Sequence, residues 1–170
     1  MTLLRLPLLA LFVAVAIAGA RPLAQGQSAR TGTLVVAGDV STPLTLKADD
    51  LRAFPRTTVS MQEDGRTVRY EGVLLAEVLK KAGVPLGRDL RGDAVATYVL
   101  ATANDGYKAV YSLAEVDPEF TSNDVIVADS ADGKPLFDYQ GPLRLVAPKD
   151  ARAARSVRML ERIDVVRVRK

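Results

Sequence analysis

In 170 residues the chain has no cysteine, no histidine and no tryptophan. Without thiols it forms no disulfide, offers no thiolate nucleophile, and builds no cysteine-based zinc or iron–sulfur site. Without imidazole it has no histidine base, and a Ser-His-Asp triad is impossible. Aromatic residues make up only 5% of the chain, too few for a base-stacking platform, which argues against nucleic acid as a partner. No phosphate-binding glycine loop or dinucleotide glycine fingerprint is present. Asp129 and Asp132-Gly133 lack the spacing and terminal glutamate of an EF-hand loop and read as a solvated turn.

A long apolar run is also missing. Thr2-Leu3-Leu4-Arg5 gives a short positive start, Leu6 to Ile17 an apolar stretch broken by Pro7, and Ala18-Gly19-Ala20 a small-residue cleavage pattern. The stretch is short for a membrane span and no stop-transfer pattern follows. Residues 1–20 therefore read as a cleaved signal peptide, which predicts an exported, periplasmic or secreted protein with no stable membrane span after cleavage. An uncleaved N-terminal anchor is the alternative, and the absence of cysteine excludes a lipoprotein anchor. Residues 21–32 mix Pro, Gln, Gly and Ser without periodicity and read as a flexible linker. Residues 33–170 then make one domain, large enough to be held by packing alone.

The formal net charge is +3, unevenly spread. Residues 141–170 carry nine Lys/Arg against three Asp/Glu, whereas residues 21–140 carry thirteen against seventeen. The basic end fits either an anionic partner or a solubilising surface.

Short β-rich runs dominate what is present. Thr33 to Ala37 and Pro43 to Leu46 read as strands, and Lys47 to Phe54 as one or two helical turns closed by Pro55. Thr57–Met61 and Thr67–Tyr70 flank Glu63-Asp64-Gly65-Arg66, a hairpin signal. Glu63 and Asp64 at its tip are expected to point apart into water rather than to act together as acid and base. Glu71-Gly72 is expected to break the strand. Val73 to Ala82 has helical spacing at Leu75, Val78, Leu79 and Ala82, with Lys80-Lys81 on its polar face and Gly83 at its C-terminal cap. Val95–Ala101, Ala109–Tyr111, Val125–Ala128, Leu143–Val146 and a final run through Ile163 and Val165 add further strands. Turns fall at Asn104–Tyr107 and Asp132–Pro135, and Ser112 and Glu115 have capping-box spacing. The sum predicts an α+β domain of β-rich mixed or antiparallel sheets with two or three short helices.

Arg144 and the group Arg152, Arg155, Ser156 and Arg158 are the remaining candidates for chemistry. On a helix the last three arginines would form one stripe; in an extended segment Ser156 and Arg158 would share a face. Either geometry can offer guanidinium forks and a hydroxyl to an anion, and a solvated strand end is the plain alternative.

Gly141-Pro142-Leu143-Arg144-Leu145-Val146-Ala147-Pro148, followed by Arg155-Ser156-Val157-Arg158-Met159-Leu160, resembles the end of the molybdopterin-binding domain of sulfite-oxidase-like oxidoreductases. Other stretches agree in order: Leu44-Thr45-Leu46 into Asp50-Leu51 and Phe54-Pro55, Tyr70-Glu71-Gly72-Val73-Leu74-Leu75 into Ala82-Gly83, and Asp105-Gly106-Tyr107. The likeness spans about residues 33–168. It implies the sulfite-oxidase-like fold, with molybdopterin as the candidate cofactor. It also implies that Arg144, Arg155, Ser156 and Arg158 contact the pterin phosphate, with Asp105 and Tyr107 lining the same cleft. The chain departs from the family where the function is decided. Catalytic members hold molybdenum through a cysteine thiolate at a place that here reads Val59-Ser60-Met61-Gln62-Glu63, and a thioether or hydroxyl replaces that soft anion poorly. The resemblance therefore implies a non-catalytic or accessory module for a pterin phosphate or another small anionic ligand. The alternatives are a molybdenum-cofactor oxidoreductase whose metal is held by the pterin dithiolene alone, and a structural role with the arginines as surface charge.

Overall fold

The computed structural model describes residues 32–169. The predicted signal peptide and all of the predicted linker except Gly32 lie outside them. Two sheets and three short helices make up the domain, so the expected α+β architecture holds. In the first sheet β1 (Thr33–Gly38) pairs antiparallel with β2 (Leu44–Lys47) and parallel with β10 (Leu160–Arg167). β10 in turn pairs with β5 (Thr97–Ala103), and β5 with β6 (Lys108–Ser112), giving the order β2-β1-β10-β5-β6. The second sheet runs β3 (Arg56–Glu63), β4 (Arg66–Leu74), β7 (Ile126–Ala131) and β8 (Lys134–Pro135), with β9 (Arg144–Val146) also antiparallel to β7.

The main core lies between the sheets. β1 gives it Leu34 and Val36, β5 Val99 and Ala101, β10 Ile163 and Val165, and the second sheet Val73, Val127 and Leu145. The helix α2 (Leu75–Lys81) adds Leu75, Val78 and Leu79, the positions its spacing predicts. Side chains alternate across a strand, so the neighbours of Val127 and Leu145 point the other way. Ile126, Ala128 and Val146 join Val59, Met61, Val68, Tyr70 and Leu136 in a second cluster on the opposite face of that sheet. This second face carries Arg144.

Local signals hold at three of the turns. Asp64 (φ 48°) and Gly65 (φ 78°) are both left-handed, as a two-residue type I′ hairpin requires. Ser112 Oγ accepts from the Glu115 N–H while Glu115 accepts from the Ser112 N–H, which starts α3 (Leu113–Val116). Gly83 is left-handed after α2. At Gly72 the expectation holds only in part. β4 continues through Glu71-Gly72 to Leu74, but its pairing with β7 shifts register between these two residues, and helix begins at Leu75 rather than Val73. A Cβ on Gly72 would lie 2.1 Å from the Val127 carbonyl oxygen. The glycine is there for close approach of two strands, not to end one. The expected turns from Lys47 to Phe54 shrink to α1 (Ala48–Leu51) and a turn, with Leu51 fully buried.

Candidate functional site

Arg144 shares the second face of its sheet with Val146 and is fully buried. Its Nη1 donates to Tyr70 Oη at 2.6 Å, to Gln140 Oε1 at 2.7 Å and to Glu63 Oε2 at 3.4 Å, while Nη2 bonds Glu63 Oε1. Tyr70 Oη donates to Glu63 Oε2 at 2.7 Å, closing a ring of bonds around the carboxylate. The guanidinium carbon lies 4.9 Å from the Tyr70 ring centroid, and Nε is buried without a partner. Burial pushes the Glu63 carboxyl up. The bonds from Arg144 and Tyr70, with the charges of Arg144 and Arg158, outweigh burial and hold it below the usual carboxylate range. Burial and the neighbouring Glu63 push the Tyr70 phenol up.

The tip carboxylates were expected in water, and for Glu63 that is corrected. Val59, Met61 and Glu63 alternate onto the inward face of β3, so Glu63 emerges beside Arg144. Asp64 alone turns outward. The structure thus gives Arg144 an anion from within the chain, 81 positions away.

Arg155 sits in a second clamp. Nε and Nη2 donate to Asp150 at 2.9 and 2.8 Å, Nη1 donates to Glu115 at 2.8 Å, and the guanidinium lies 4.7 Å from the Tyr111 ring centroid. Burial pushes Glu115 up, but its bonds to Arg155 and to the Ser112 cap bring it below the usual range. Ala153–Arg155 is a single 3-10 turn, so Arg152, Arg155 and Arg158 form no helical stripe. Nor do Ser156 and Arg158 share a face, because Ser156 is buried and Arg158 exposed. Ser156 Oγ accepts from the Ala147 N–H at 3.1 Å and meets Met61 Sδ at 3.4 Å. The Arg158 guanidinium lies 5.3 Å from the exposed Tyr139 ring and makes no salt bridge among the described residues, although its charge acts on Glu63. Asp105 Oδ1 accepts from the Tyr107 N–H at 3.0 Å, a turn contact. Tyr107 and Tyr111 donate their hydroxyls to the carbonyls of Ala154 and Arg155 and tether that loop.

The predicted residues therefore gather around one loop but face different ways. Much of the basic C-terminal charge is folded onto carboxylates: Arg144 onto Glu63, Arg155 onto Asp150 and Glu115, Arg162 onto Asp164, Arg169 onto Asp39. Sequence reasoning missed Glu63, Tyr70, Gln140, Asp150, Tyr111 and the Arg155 partnership of Glu115. One signal was available, since an arginine inside the apolar run Leu143–Val146 has to be buried, and a buried cation requires a carboxylate.

Clefts of 580 Å³ near Phe54 and Lys80, 470 Å³ near Arg56 and Asp129, and 270 Å³ near Pro142 and Met159 are lined by none of Arg144, Arg155, Ser156 and Arg158. Among the described residues no group of three or more Asp or Glu is placed to hold a metal ion. No helix among them is long and apolar enough to cross a membrane.

Two β-rich sheets with short helices and the Arg144-bearing strand have the architecture of the sulfite-oxidase-like fold. The model of the oxidoreductase molybdopterin binding domain matches residues 61–170, and the chain belongs to that family. The match begins after the Leu44 to Pro55 stretch. Among solved structures, the sulfane dehydrogenase SoxCD from Paracoccus pantotrophus superimposes with a TM-score of 0.61 at 23% identity, over 78% of this chain. The match covers 37% of that chain, little more than a third of its length. No curated protein sequence matches.

The residues present fit the family's cofactor only in part. A molybdenum centre of the family's usual kind needs a thiolate, and the chain has no cysteine. The corresponding strand carries Met61, a neutral thioether buried against Ser156. Of the arginines expected at a phosphate, Arg144 and Arg155 already hold carboxylates, while Arg158 has no salt bridge among the described residues. The metal half does not fit, and of these arginines Arg158 alone lies exposed without a salt bridge among the described residues.

Proposed function

We propose that the chain is an exported, non-catalytic member of the molybdopterin-binding oxidoreductase family, an accessory module for a pterin phosphate or another small anionic ligand. The observation that supports this reading is that the strand where the resemblance puts the thiolate carries Met61, a neutral thioether buried 3.4 Å from Ser156 Oγ. In this reading Arg158 makes the anion contact, and a guanidinium over an exposed tyrosine suits a phosphoryl group beside a flat ring. Arg144, Arg155 and Ser156 build the frame behind it, and the Asp105–Tyr107 turn anchors the loop. The export reading rests on the pattern of residues 1–20; N-terminal sequencing of the exported protein should begin near Arg21, an intact Met1 there would replace cleavage by an uncleaved anchor, and recovery of the protein from the cytoplasm alone would defeat export.

Molybdenum content decides the catalytic question. Protein purified from a host that makes molybdenum cofactor should carry no stoichiometric molybdenum, and close to one metal per chain would overturn the reading. Family membership favours one alternative, an oxidoreductase whose metal is held by the pterin dithiolene alone, with the protein positioning the cofactor that supplies the redox chemistry. The same metal analysis separates the two.

A further inference from the structure

The bonds around Glu63 describe a binding site that already contains its ligand. Arg144 contributes two guanidinium nitrogens, Tyr70 a hydroxyl, and Gln140 orients the guanidinium from the other side. These groups come from β9, β4 and the turn Asp138–Gln140, whereas the carboxylate arrives from the end of β3. The cradle is complete without the side chain it holds. A guanidinium fork facing both oxygens of one carboxylate, with a hydroxyl donating to one of them, is the donor pattern that a free carboxylate would also satisfy.

Three further observations agree. Arg144 is fully buried, so its charge must be matched by an anion inside the fold. Its Nε lacks a partner, which leaves the site short of acceptors rather than of donors. Arg158 adds a second positive charge that acts on Glu63 and Tyr70 without bonding either.

We propose that Arg144, Tyr70 and Gln140 form a buried subsite for a small planar carboxylate, occupied in this chain by Glu63. The Glu63 side chain excludes free anions from it, and shortening that side chain opens it to formate or acetate. Neither statement depends on whether a pterin binds near Arg158. The hole left by Glu63→Ala is lined by polar donors, so it takes up an anion rather than standing dry.

The experiment compares melting in sodium formate and in sodium chloride at equal concentration. In about 100 mM salt, formate should raise the midpoint of Glu63→Ala by about 4 °C or more over chloride, and leave the wild type within about 1 °C. Glu63→Gln keeps the space filled and should not respond, and Glu63→Ala with Arg144→Met should lose the response. If Glu63→Ala fails to fold in chloride, recovery of soluble protein on refolding in formate carries the same meaning. No formate effect on Glu63→Ala, failure to fold in both salts, or an equal effect in either control overturns the proposal. Molybdenum content is read in none of these measurements, so this inference and the proposed function fail separately.

Discussion

Arg144 and Arg155 are held in the same way and live in different media. Each guanidinium lies against a tyrosine ring and takes a carboxylate from another part of the chain. The Arg144 side chain is 1% exposed and its Glu63 partner 10%, while Arg155 is 35% exposed and Glu115 42%. Identical chemistry therefore has unequal consequences. Solvent stands ready to replace Glu115, whereas Asp150, 14% exposed, is nearly as enclosed as Glu63, which nothing in the second cluster can replace.

The inequality is open to measurement. Glu63→Gln keeps the shape and removes the charge, leaving a buried guanidinium uncompensated; it should cost about 3–5 kcal/mol in urea unfolding. Arg155→Ala should cost less, about 1–2 kcal/mol, because Glu115 can turn to water and only Asp150 is left enclosed. Equal losses would show that burial does not separate the clamps. Acid should sharpen the contrast. Glu63 and Glu115 both titrate below their unfolded values, so their stabilisation is present above the ordinary glutamate range and is lost as pH falls through the depressed folded value. Most of that loss should trace to Glu63, and the acid limb of a stability–pH curve should flatten in Glu63→Gln but barely change in Arg155→Ala. Arg158→Ala, with neither clamp nor burial, should shift stability by less than about 0.5 kcal/mol while weakening any saturable phosphate binding.

Period and turn chemistry made most of the fold legible. The apolar spacing of α2, the Asp64-Gly65 hairpin and the Ser112–Glu115 cap depend on residues within a few positions of one another, and each holds. Gly72 was partly misread because a glycine that admits a neighbouring strand and one that ends a strand look alike without the neighbour. Much of the site was hidden for a related reason. Gln140 and Asp150 lie close in sequence to the arginines they bond, but the carboxylates Glu63 and Glu115 lie 81 and 40 positions from Arg144 and Arg155, and only the assembled sheets bring those together. Family motifs located the arginines and said nothing of their neutralisation. The basic C-terminal stretch looked like a surface for anions. Folding paired Arg144, Arg155, Arg162 and Arg169 with carboxylates, leaving Lys149, Arg152, Arg158 and Arg167 without a salt bridge among the described residues.

The parallel pairing of β1 with β10 has a consequence for assembly. β10 lies between β1 and β5, and the partner of Val36 is Ile163, roughly 125 residues further along the chain. The β3–β4 hairpin can zip as soon as its turn is made, because its partners are adjacent. The first strand can pair early with β2, but its other edge has to wait for the last strand, so Leu34 and Val36 lack half of their sheet contacts until β10 is available. A nascent chain of this protein therefore remains an unfinished sheet until nearly all of it has been made.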